Sequence, residues 1–331
     1  MKPCQPIITS LGCYTPPGVL TNFDLEKMVN TNNQWIVERT GISERHIATP
    51  EIASSDMAVS AAREALEQRG IPASDLEVII VCTVTPDMMF PATACLVQNQ
   101  LGANRAWGYD LSAACSGYLY GLNAGAALVA SGAHRKVLVI GTDTMSRIID
   151  YTDRSTCILF GDGAGAMLIE PASDGDRQFG FIDFIGEIDG SGGDFLKMPA
   201  GGSRLPASED TVESRLHYVK QEGQQVFKYA VRKMYELCDE ILRRNGFTAK
   251  DLGLLVPHQA NKRIIDGSAH KLGIAPEKVV ITVDRHGNTS AASIPLALFD
   301  AVSDRRIRRG HLVLLEAMGG GFTWGSALLR W

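Results

Sequence analysis

The sequence predicts an α/β fold built from two similar halves. Segments typical of buried strands alternate with segments typical of helices along the 331 residues. The strand patterns are rich in β-branched and aliphatic residues and occur at Val78–Thr83, Val137–Ile140, Leu254–Val256, Val279–Val283 and Leu312–Leu315. Helical patterns lie between them, for example at Ser55–Arg69 and Gly223–Arg244.

The alternation repeats within the chain. Ala58–Cys82 contains a helix, a glycine, an Asp-Leu pair and a buried strand, and Ala230–Pro257 contains the same series. The two aspartates, Asp75 and Asp251, are 176 residues apart (251 − 75), and the same offset carries Lys136–Val139 onto Leu312–Leu315. Such similarities also arise by chance in α/β chains, but two segments with one offset favour duplication. We therefore predict halves at residues 1–172 and 173–331.

Each predicted half ends in a Gly-rich turn followed by a strand of small and apolar residues. Gly161–Gly165 precedes Met167–Ile169 in the first half. In the second half Gly319–Gly321 precedes Ala327–Leu329. We expect these two turns to occupy equivalent places in the fold.

Composition excludes several classes of function. The net charge of −5 argues against a protein that binds nucleic acid or an anionic membrane. The small, apolar stretch Gly117–Gly132 is interrupted by tyrosines and an asparagine, which predicts a helix buried in protein and not in lipid. Residues 1–11 lack the apolar run of a signal peptide. The seven cysteines form no CxxC pair, so we expect free thiols, no metal site and a cytoplasmic location.

Three residues at the ends of predicted strands suggest a reactive site. Cys115 begins a predicted helix after a strand, and Asn288 occupies the corresponding junction of the second half. His258 follows the strand Leu254–Val256 after a single proline. Ligand sites of α/β folds favour such strand ends, and a helix N-terminus lowers the pKa of a thiol. Taken singly, each residue has an ordinary structural explanation, as a buried Cys, a core His or a helix-capping Asn.

Together the three side chains suit the decarboxylative joining of two thioester-bound acyl units. The Cys115 sulfur would accept the first acyl group. His258 and Asn288 would donate hydrogen bonds to the enolate left when a malonyl thioester loses CO₂. The backbone N–H groups of Cys115 and of Gly320, in the second Gly-rich turn, would form an oxyanion hole.

Six ordered motifs connect this chemistry to a known family. They are Trp35–Ile42, Ala113–Gly117, Phe160–Gly165, Pro257–Asn261, Gly287–Ser293 and Gly319–Gly325. On these motifs the chain resembles the β-ketoacyl-acyl-carrier-protein synthase III family, the condensing enzymes that initiate bacterial fatty-acid synthesis. The resemblance covers essentially the whole length. Asn288 also separates the chain from the elongating synthases, which carry a second His at this position.

The resemblance implies a fold, an assembly and a reaction. The two halves would form a thiolase-like, five-layered αβαβα arrangement, and the protein would be a homodimer. It would condense a short acyl-coenzyme A, foremost acetyl-CoA, with malonyl-acyl-carrier protein to give a 3-oxoacyl-acyl-carrier protein. The coenzyme A thioester would be a substrate, with no further cofactor.

The resemblance also assigns a coenzyme A site. Trp35 would stack on the adenine with Arg154 on the other face, a task suited to cation–π and stacking interactions. The remaining contacts would come from Arg39 and Thr40 to the nucleotide, from Gly223 and Asn261 along the pantetheine channel, and from Arg263 to the acidic carrier protein. Without the resemblance, Trp35 would be interpreted as a partly buried helix residue and Arg154 as a surface charge.

The acyl pocket is the last implied feature. Phe90, in the segment Pro86–Pro91, would reach across the dimer and close the partner's pocket, while Phe160 and Met318 would narrow it. The chain departs from the usual family pattern at Ser116, Gln221 and Met318, which leaves the substrate fit open.

Three alternatives remain from the sequence. A cysteine hydrolase also uses Cys, His and Asn, although its motif order differs. A non-catalytic acyl-binding protein would need no reactive trio. A related condensing enzyme or acyltransferase of specialised metabolism would share every motif.

Overall fold

The computed structural model describes residues 4–331. The strands are β1 Pro6–Tyr14, β2 Gly18–Thr21, β3 Glu44–Ile47, β4 Val78–Cys82, β5 Trp107–Leu111, β6 Val137–Thr144, β7 Asp162–Pro171, β8 Gly180–Ile188, β9 Leu196–Lys197, β10 Lys220–Gln221, β11 Leu252–Pro257, β12 Leu312–Gly319 and β13 Thr323–Arg330. The helices are α1 Asn22–Leu25, α2 Asn33–Thr40, α3 Ser54–Arg69, α4 Thr93–Leu101, α5 Gly117–Ala130, α6 Glu209–Glu213, α7 Gly223–Arg244, α8 Lys262–Leu272, α9 Val283–His286 and α10 Ser293–Ser303. Within this part of the chain, no helix has both the length and the apolar character that a membrane span requires.

Two large sheets share one topology. The first has the strand order β1-β7-β6-β4-β5, and the second has the order β8-β13-β12-β11. In each sheet the first three strands pair antiparallel and the fourth pairs parallel to the third. The predicted boundary between residues 172 and 173 falls between β7 and β8, so each of these sheets draws its strands from one predicted half.

The sheets and helices form five layers. Helices α3 and α4 cover the outer face of the first sheet, and α7 and α8 cover the outer face of the second. Helices α5 and α10 lie between the two sheets and share one apolar core with both. The predicted αβαβα arrangement is therefore confirmed.

The middle layer is packed closely because α5 presents small residues to the first sheet. A Cβ on Gly121 would lie only 2.3 Å from the Cys82 sulfur, and one on Gly125 would lie 2.9 Å from Val139. Any larger side chain would have to push α5 away from β4 and β6. Glycine in this helix therefore sets the distance between the helix and the sheet.

Two predicted elements differ in the structure. Val279–Val283 forms no regular strand: Val279 makes a single bridge to Leu255, and Val283 already begins α9. The cause is Gln259, whose Oε1 accepts the backbone N–H groups of Thr282 and Val283 and so removes them from strand pairing. Gly161–Gly165 is not a turn, because from Asp162 onward it lies within β7. Small residues are needed there since a Cβ on Gly165 would meet Pro295 at 2.5 Å.

Glu316 on β12 is a fully buried carboxyl group that connects the second sheet to its outer helices. Cys238 of α7 donates to its Oε2 at 2.7 Å, and Ser268 of α8 donates to its Oε1 at 3.1 Å. Burial raises the pKa of Glu316 from 4.5 to about 7. The folded protein therefore holds this proton at pH values where the unfolded chain has already lost it.

This shift makes the stability of the protein depend on pH. A raised folded-state pKa contributes stability below the unfolded pKa, and that contribution is lost as the pH rises from 4.5 to about 7. Glu316→Gln keeps the shape of the side chain and cannot ionise. We expect the free energy of unfolding of this variant to rise relative to that of the parent by about 1–3 kcal/mol as the pH increases across this window. Urea unfolding at several pH values measures the difference.

A matched carboxyl group provides the control for that measurement. Hydrogen bonds from Trp324 and Lys233 lower the pKa of Glu187, so Glu187→Gln should lose stability at neutral pH instead of gaining it. A Glu316→Gln variant whose stability follows the same pH profile as the parent would contradict the account.

Candidate active site

One cavity of about 740 Å³ contains all three predicted reactive side chains, Cys115, His258 and Asn288. It lies where β5 and β11 end and where α5 and α10 begin. Other predicted site residues in its wall are Trp35, Arg39, Thr40, Arg154, Phe160, Gly223, Asn261, Arg263 and Met318. A smaller cavity of about 310 Å³, between β1 and the end of β13, contains no cysteine or histidine. The larger cavity is therefore the candidate active site.

Cys115 occupies a sharply turned segment between β5 and α5. The preceding residue, Ala114, has φ +48°, and Ser290, 176 residues later, has φ +51° at the start of the matching turn. An L-residue in this left-handed region costs roughly 1–2 kcal/mol. The Gly319 backbone lies so close that a Cβ there would be 2.6 Å from the Cys115 nitrogen. The Gly-rich turn after β12 therefore reaches the backbone of Cys115.

The Cys115 thiol is protonated at neutral pH. It is 8% exposed, and burial raises its pKa to about 12, with a further contribution from the negative charge of Asp143. A hydrogen bond to Ser290, with 3.8 Å between sulfur and oxygen, acts in the opposite direction. The expected lowering of the thiol pKa by the helix N-terminus is thus outweighed by desolvation.

His258 is a neutral imidazole in this environment. It is 2% exposed, and burial lowers its pKa to about 3. Its backbone N–H donates to the Glu316 carbonyl at 2.7 Å, which fixes the end of β11 beside β12. The Nδ1 atom has no hydrogen-bond partner among residues 4–331. A neutral histidine can donate one hydrogen bond to a substrate oxygen without the cost of a buried charge.

Asn288 is held by its own backbone and by its side-chain oxygen. Its N–H donates to the Leu159 carbonyl at 2.8 Å, and its carbonyl accepts from the Gly161 N–H at 3.1 Å. Its Oδ1 accepts the Ser290 N–H at 2.9 Å. Because the oxygen end of the amide is fixed in this way, the NH₂ end remains as the donor for a ligand.

The cavity mouth carries aromatic and basic side chains. Trp35 lies in the first turn of α2, where its backbone N–H donates to the side-chain oxygen of the capping residue Asn32 at 2.8 Å. The Arg154 guanidinium lies 5.0 Å from the centre of the Trp35 ring, and that of Arg39 lies 5.9 Å from it. Arg154 thus stacks on Trp35 itself. An adenine between the two would have to displace Arg154 outward.

Comparisons with known proteins agree with this geometry. The family described as 3-oxoacyl-[acyl-carrier-protein] synthase III matches residues 109–190, and its C-terminal part matches residues 242–331. The β-ketoacyl-[acyl-carrier-protein] synthase III of Solibacter usitatus is 66% identical over 98% of both chains. The chain belongs to the β-ketoacyl-acyl-carrier-protein synthase III family.

Solved structures show the same fold. The 3-oxoacyl-[acyl-carrier-protein] synthase III of Aquifex aeolicus has a TM-score of 0.91 and 44% identity, covering 98% of this chain and all of that one. The priming β-ketosynthase of the R1128 polyketide pathway also has a TM-score of 0.91, with 34% identity, and covers 99% of this chain and 97% of that one. The thiolase-like fold class is therefore confirmed.

The remaining contacts of this synthase III chain modify several predicted roles. The Thr40 hydroxyl donates to the Ile36 carbonyl at 2.7 Å, so it is already used within α2. Asn261 caps α8 through the Arg263 N–H at 2.9 Å, and its Nδ2 donates to the Arg39 carbonyl at 3.0 Å. Asn261 therefore ties α8 to the end of α2, and Arg263 packs its guanidinium over Phe227.

Two predicted residues do not line this chain's own cavity. Phe90 is 84% exposed on the surface segment Pro86–Pro91. Gly319 lines the cavity, whereas Gly320 packs toward Leu196. The predicted oxyanion role of Gly320 depends on its backbone N–H alone.

Ser290 and Asp143 also belong to the site of this synthase III chain, although the sequence did not predict a role for either. Ser290 contacts the Cys115 sulfur, and Asp143 is fully buried on β6. The duplication contained a signal for the first, because the 176-residue offset carries Ala114 onto Ser290. Asp143 stands in a short polar stretch, Gly141–Thr144, directly after four aliphatic residues of a buried strand.

Proposed function

We propose that the chain catalyses the decarboxylative condensation of a short acyl-coenzyme A, foremost acetyl-CoA, with malonyl-acyl-carrier protein. The products are a 3-oxoacyl-acyl-carrier protein, coenzyme A and CO₂, and the reaction initiates fatty-acid synthesis. The observation that carries the proposal is the convergence of Cys115, a neutral His258 and Asn288 on one cavity.

The first half-reaction transfers the acyl group to Cys115. The sulfur attacks the thioester carbonyl, and coenzyme A leaves as the thiol. Charge that develops on the carbonyl oxygen is stabilised by the backbone N–H groups of Cys115 and Gly320 in our proposal. Each such donor typically raises the reaction rate by a factor of about 10²–10³.

The second half-reaction uses the two side-chain donors. Malonyl thioester loses CO₂, and the enolate oxygen receives hydrogen bonds from the His258 imidazole and the Asn288 amide. The enolate carbon then attacks the acyl-Cys115 carbonyl, which forms the new carbon–carbon bond and releases the Cys115 sulfur. The low polarity that keeps His258 neutral also favours decarboxylation, because a delocalised enolate is less dependent on water than a carboxylate.

The part of the cavity that leads to the surface suits the pantetheine groups of coenzyme A and of the acyl-carrier protein. We propose that Trp35 and Arg154 hold the adenine between them and that Arg39 and Thr40 contact the nucleotide. Gly223 and Asn261 border the pantetheine. Arg263 meets the acidic carrier protein at the mouth. All seven of these binding residues lie in the wall of the cavity.

A homodimer accounts for the exposed face around β5. β5 is an edge strand of the first sheet, and Trp107 at its start is 48% exposed. Met89 and Phe90 nearby are 82% and 84% exposed. An open strand edge flanked by large apolar side chains favours isologous pairing with a second copy. The free thiols are those expected in the reducing cytoplasm, where we place the protein.

Three rival functions are separated by simple observations. A cysteine hydrolase would release free acid from acetyl-CoA without CO₂ from malonyl thioester. A non-catalytic acyl-binding protein would form no covalent adduct. A condensing enzyme of specialised metabolism is favoured by the likeness to a polyketide priming ketosynthase, and it would differ in its acyl-CoA and carrier-protein preferences.

The nucleophile is tested by intact mass after incubation with acetyl-CoA. The parent should gain one acetyl group, and Cys115→Ala should gain none, because no other cysteine lines the cavity. Cys95→Ala, which removes an exposed cysteine, is the matched control and should acetylate like the parent. An adduct that persists on Cys115→Ala refutes the assignment.

The two enolate donors are tested by separating the half-reactions. We expect His258→Ala and Asn288→Ala each to reduce malonyl decarboxylation about 10²–10³-fold, since each removes one donor to the enolate. Acetylation of Cys115 should remain within about tenfold of the parent. If acetylation falls as far as decarboxylation does, His258 is instead the base that activates the thiol.

The length of the primer is tested at Phe90. If Phe90 closes the partner's acyl pocket, Phe90→Thr should raise the kcat/KM for hexanoyl- and octanoyl-CoA at least tenfold relative to acetyl-CoA, because a bulky ring excludes longer chains. Phe23→Thr removes another exposed phenylalanine and should leave this ratio unchanged. A parent that already prefers primers of eight or more carbons would contradict the short-chain proposal.

A further inference from the structure

Ser290 is the only hydroxyl group, within residues 4–331, that the structure hydrogen-bonds to the Cys115 sulfur. The thiol donates to Ser290 Oγ with 3.8 Å between the heavy atoms. Ser290 is 1% exposed and has φ +51°, a conformation that the Asn288 side chain holds through the Ser290 N–H. A serine kept in an uncommon backbone conformation beside a nucleophile is placed there at a cost in stability.

Asp143 lies behind Ser290 and completes a chain of polar groups. The N–H of the next residue, Ala291, donates to Asp143 Oδ2 at 3.0 Å, which places this carboxyl group beside the Ser290 turn. Burial raises the pKa of Asp143, and a hydrogen bond from the Ser290 side chain opposes that rise. Asp143 Oδ1 accepts from hydroxyl and amide groups of Thr83–Thr85 at 2.8–3.2 Å. All of these donors are neutral, so the fully buried carboxylate has hydrogen bonds but no cation among them.

We propose that Ser290 and Asp143 form a proton relay that serves Cys115 during acyl transfer. Ser290 is the catalytic member because it touches the reacting sulfur, and Asp143 is a positioning and accepting group that acts through Ser290. The inference rests on the proposed function, since it assumes that Cys115 is the acylated nucleophile.

The electrostatics of the site support this route for the proton. Burial lowers the pKa of His258 to about 3, so a proton accepted there would create a buried cation. Burial raises the pKa of Asp143, which makes it a better proton acceptor than an exposed aspartate. A proton on Asp143 also removes the negative charge that opposes a thiolate at Cys115.

The step balances in atoms and charge. The Cys115 sulfur bonds to the acyl carbon as its proton moves to Ser290 Oγ, and the Ser290 proton moves to Asp143. The bond between the acyl carbon and the coenzyme A sulfur then breaks. The proton returns from Asp143 through Ser290 to the departing coenzyme A sulfur, so coenzyme A leaves as the thiol and both residues regain their starting states.

The relay is tested on the full-length protein with Ser290→Ala and Ser290→Gly. Glycine tolerates φ +51° without strain, so the second variant removes the hydroxyl while relieving the backbone. Single-turnover acetylation of Cys115 should slow about 10²-fold in both, the typical contribution of a positioned proton acceptor. The rate of Cys115 alkylation by iodoacetamide is measured by mass spectrometry of the peptide that contains Cys115. It should fall about threefold to tenfold, because the hydrogen bond between Cys115 and Ser290 is lost.

Thr289→Val is the matched control for these variants. It removes a buried hydroxyl one residue away that has no hydrogen-bond partner, so both rates should stay at the parental values. If Ser290→Gly acetylates at the parental rate, the relay is wrong. A parent that forms no acyl-Cys115 at all contradicts the proposed function instead, and the alkylation rates still show whether Ser290 assists the thiol.

Asp143→Asn separates a relay from a purely electrostatic effect. Loss of the negative charge should make thiolate formation easier, so Cys115 should alkylate faster and at lower pH than in the parent. The relay predicts that acetylation nevertheless slows at least tenfold, because the asparagine cannot accept the proton. If acetylation accelerates together with alkylation, Asp143 acts only through its charge and the relay is refuted.

Discussion

The contact between the turns Ala114–Ser116 and Ser290–Ala292 is the constraint on which the site depends. Each turn begins with a residue of positive φ, and each leads into one of the two helices of the middle layer. Because α5 and α10 are packed between the two sheets, their first residues meet at the centre of the molecule. The thiol of one half is thereby placed beside the amide and hydroxyl groups of the other, which neither half could provide alone.

Desolvation then determines the charge of each reactive group. The same burial that raises the pKa of the Cys115 thiol lowers the pKa of the His258 imidazole. Both groups are therefore neutral, and they do not form the ion pair typical of cysteine hydrolases. A site of neutral donors suits an enolate, whose negative charge is transient and diffuse. It also means that the thiol needs an acceptor for its proton, and the structure offers Ser290 backed by Asp143.

The fold was largely predictable because duplication leaves a regular trace in the sequence. The strands that carry aliphatic runs, such as β4, β6 and β12, appeared at their predicted places. Residues 279–283 are also rich in β-branched residues, yet the backbone N–H groups of Thr282 and Val283 donate to the side chain of Gln259 and not to a neighbouring strand. The glycines of 161–165 suggest a turn by their composition, but Gly163 and Gly165 lie in β7 and are small because α10 packs against them. Both errors come from tertiary contacts that local patterns do not contain.

The candidate site shows the same division between local and tertiary information. The motifs located Cys115, His258 and Asn288, and the structure gathers them around one cavity. Spacing could not reveal that Ser290 contacts the sulfur, that Asp143 stands behind it, or that the Thr40 hydroxyl is used within its own helix. These relations depend on rotamers and burial. The resemblance named the groups that we propose to act on the substrate, and the three-dimensional contacts identify the groups that surround those residues.

The most direct test of the account follows both products of one reaction. The protein is incubated with acetyl-CoA and malonyl-acyl-carrier protein labelled in the free carboxyl carbon, and labelled CO₂ and acetoacetyl-acyl-carrier protein are measured over time. The account predicts that the two form in equal amounts and that neither exceeds the coenzyme A released. Release of coenzyme A and free acetate, without labelled CO₂ or a new carbon–carbon bond, would contradict it and indicate a thioester hydrolase.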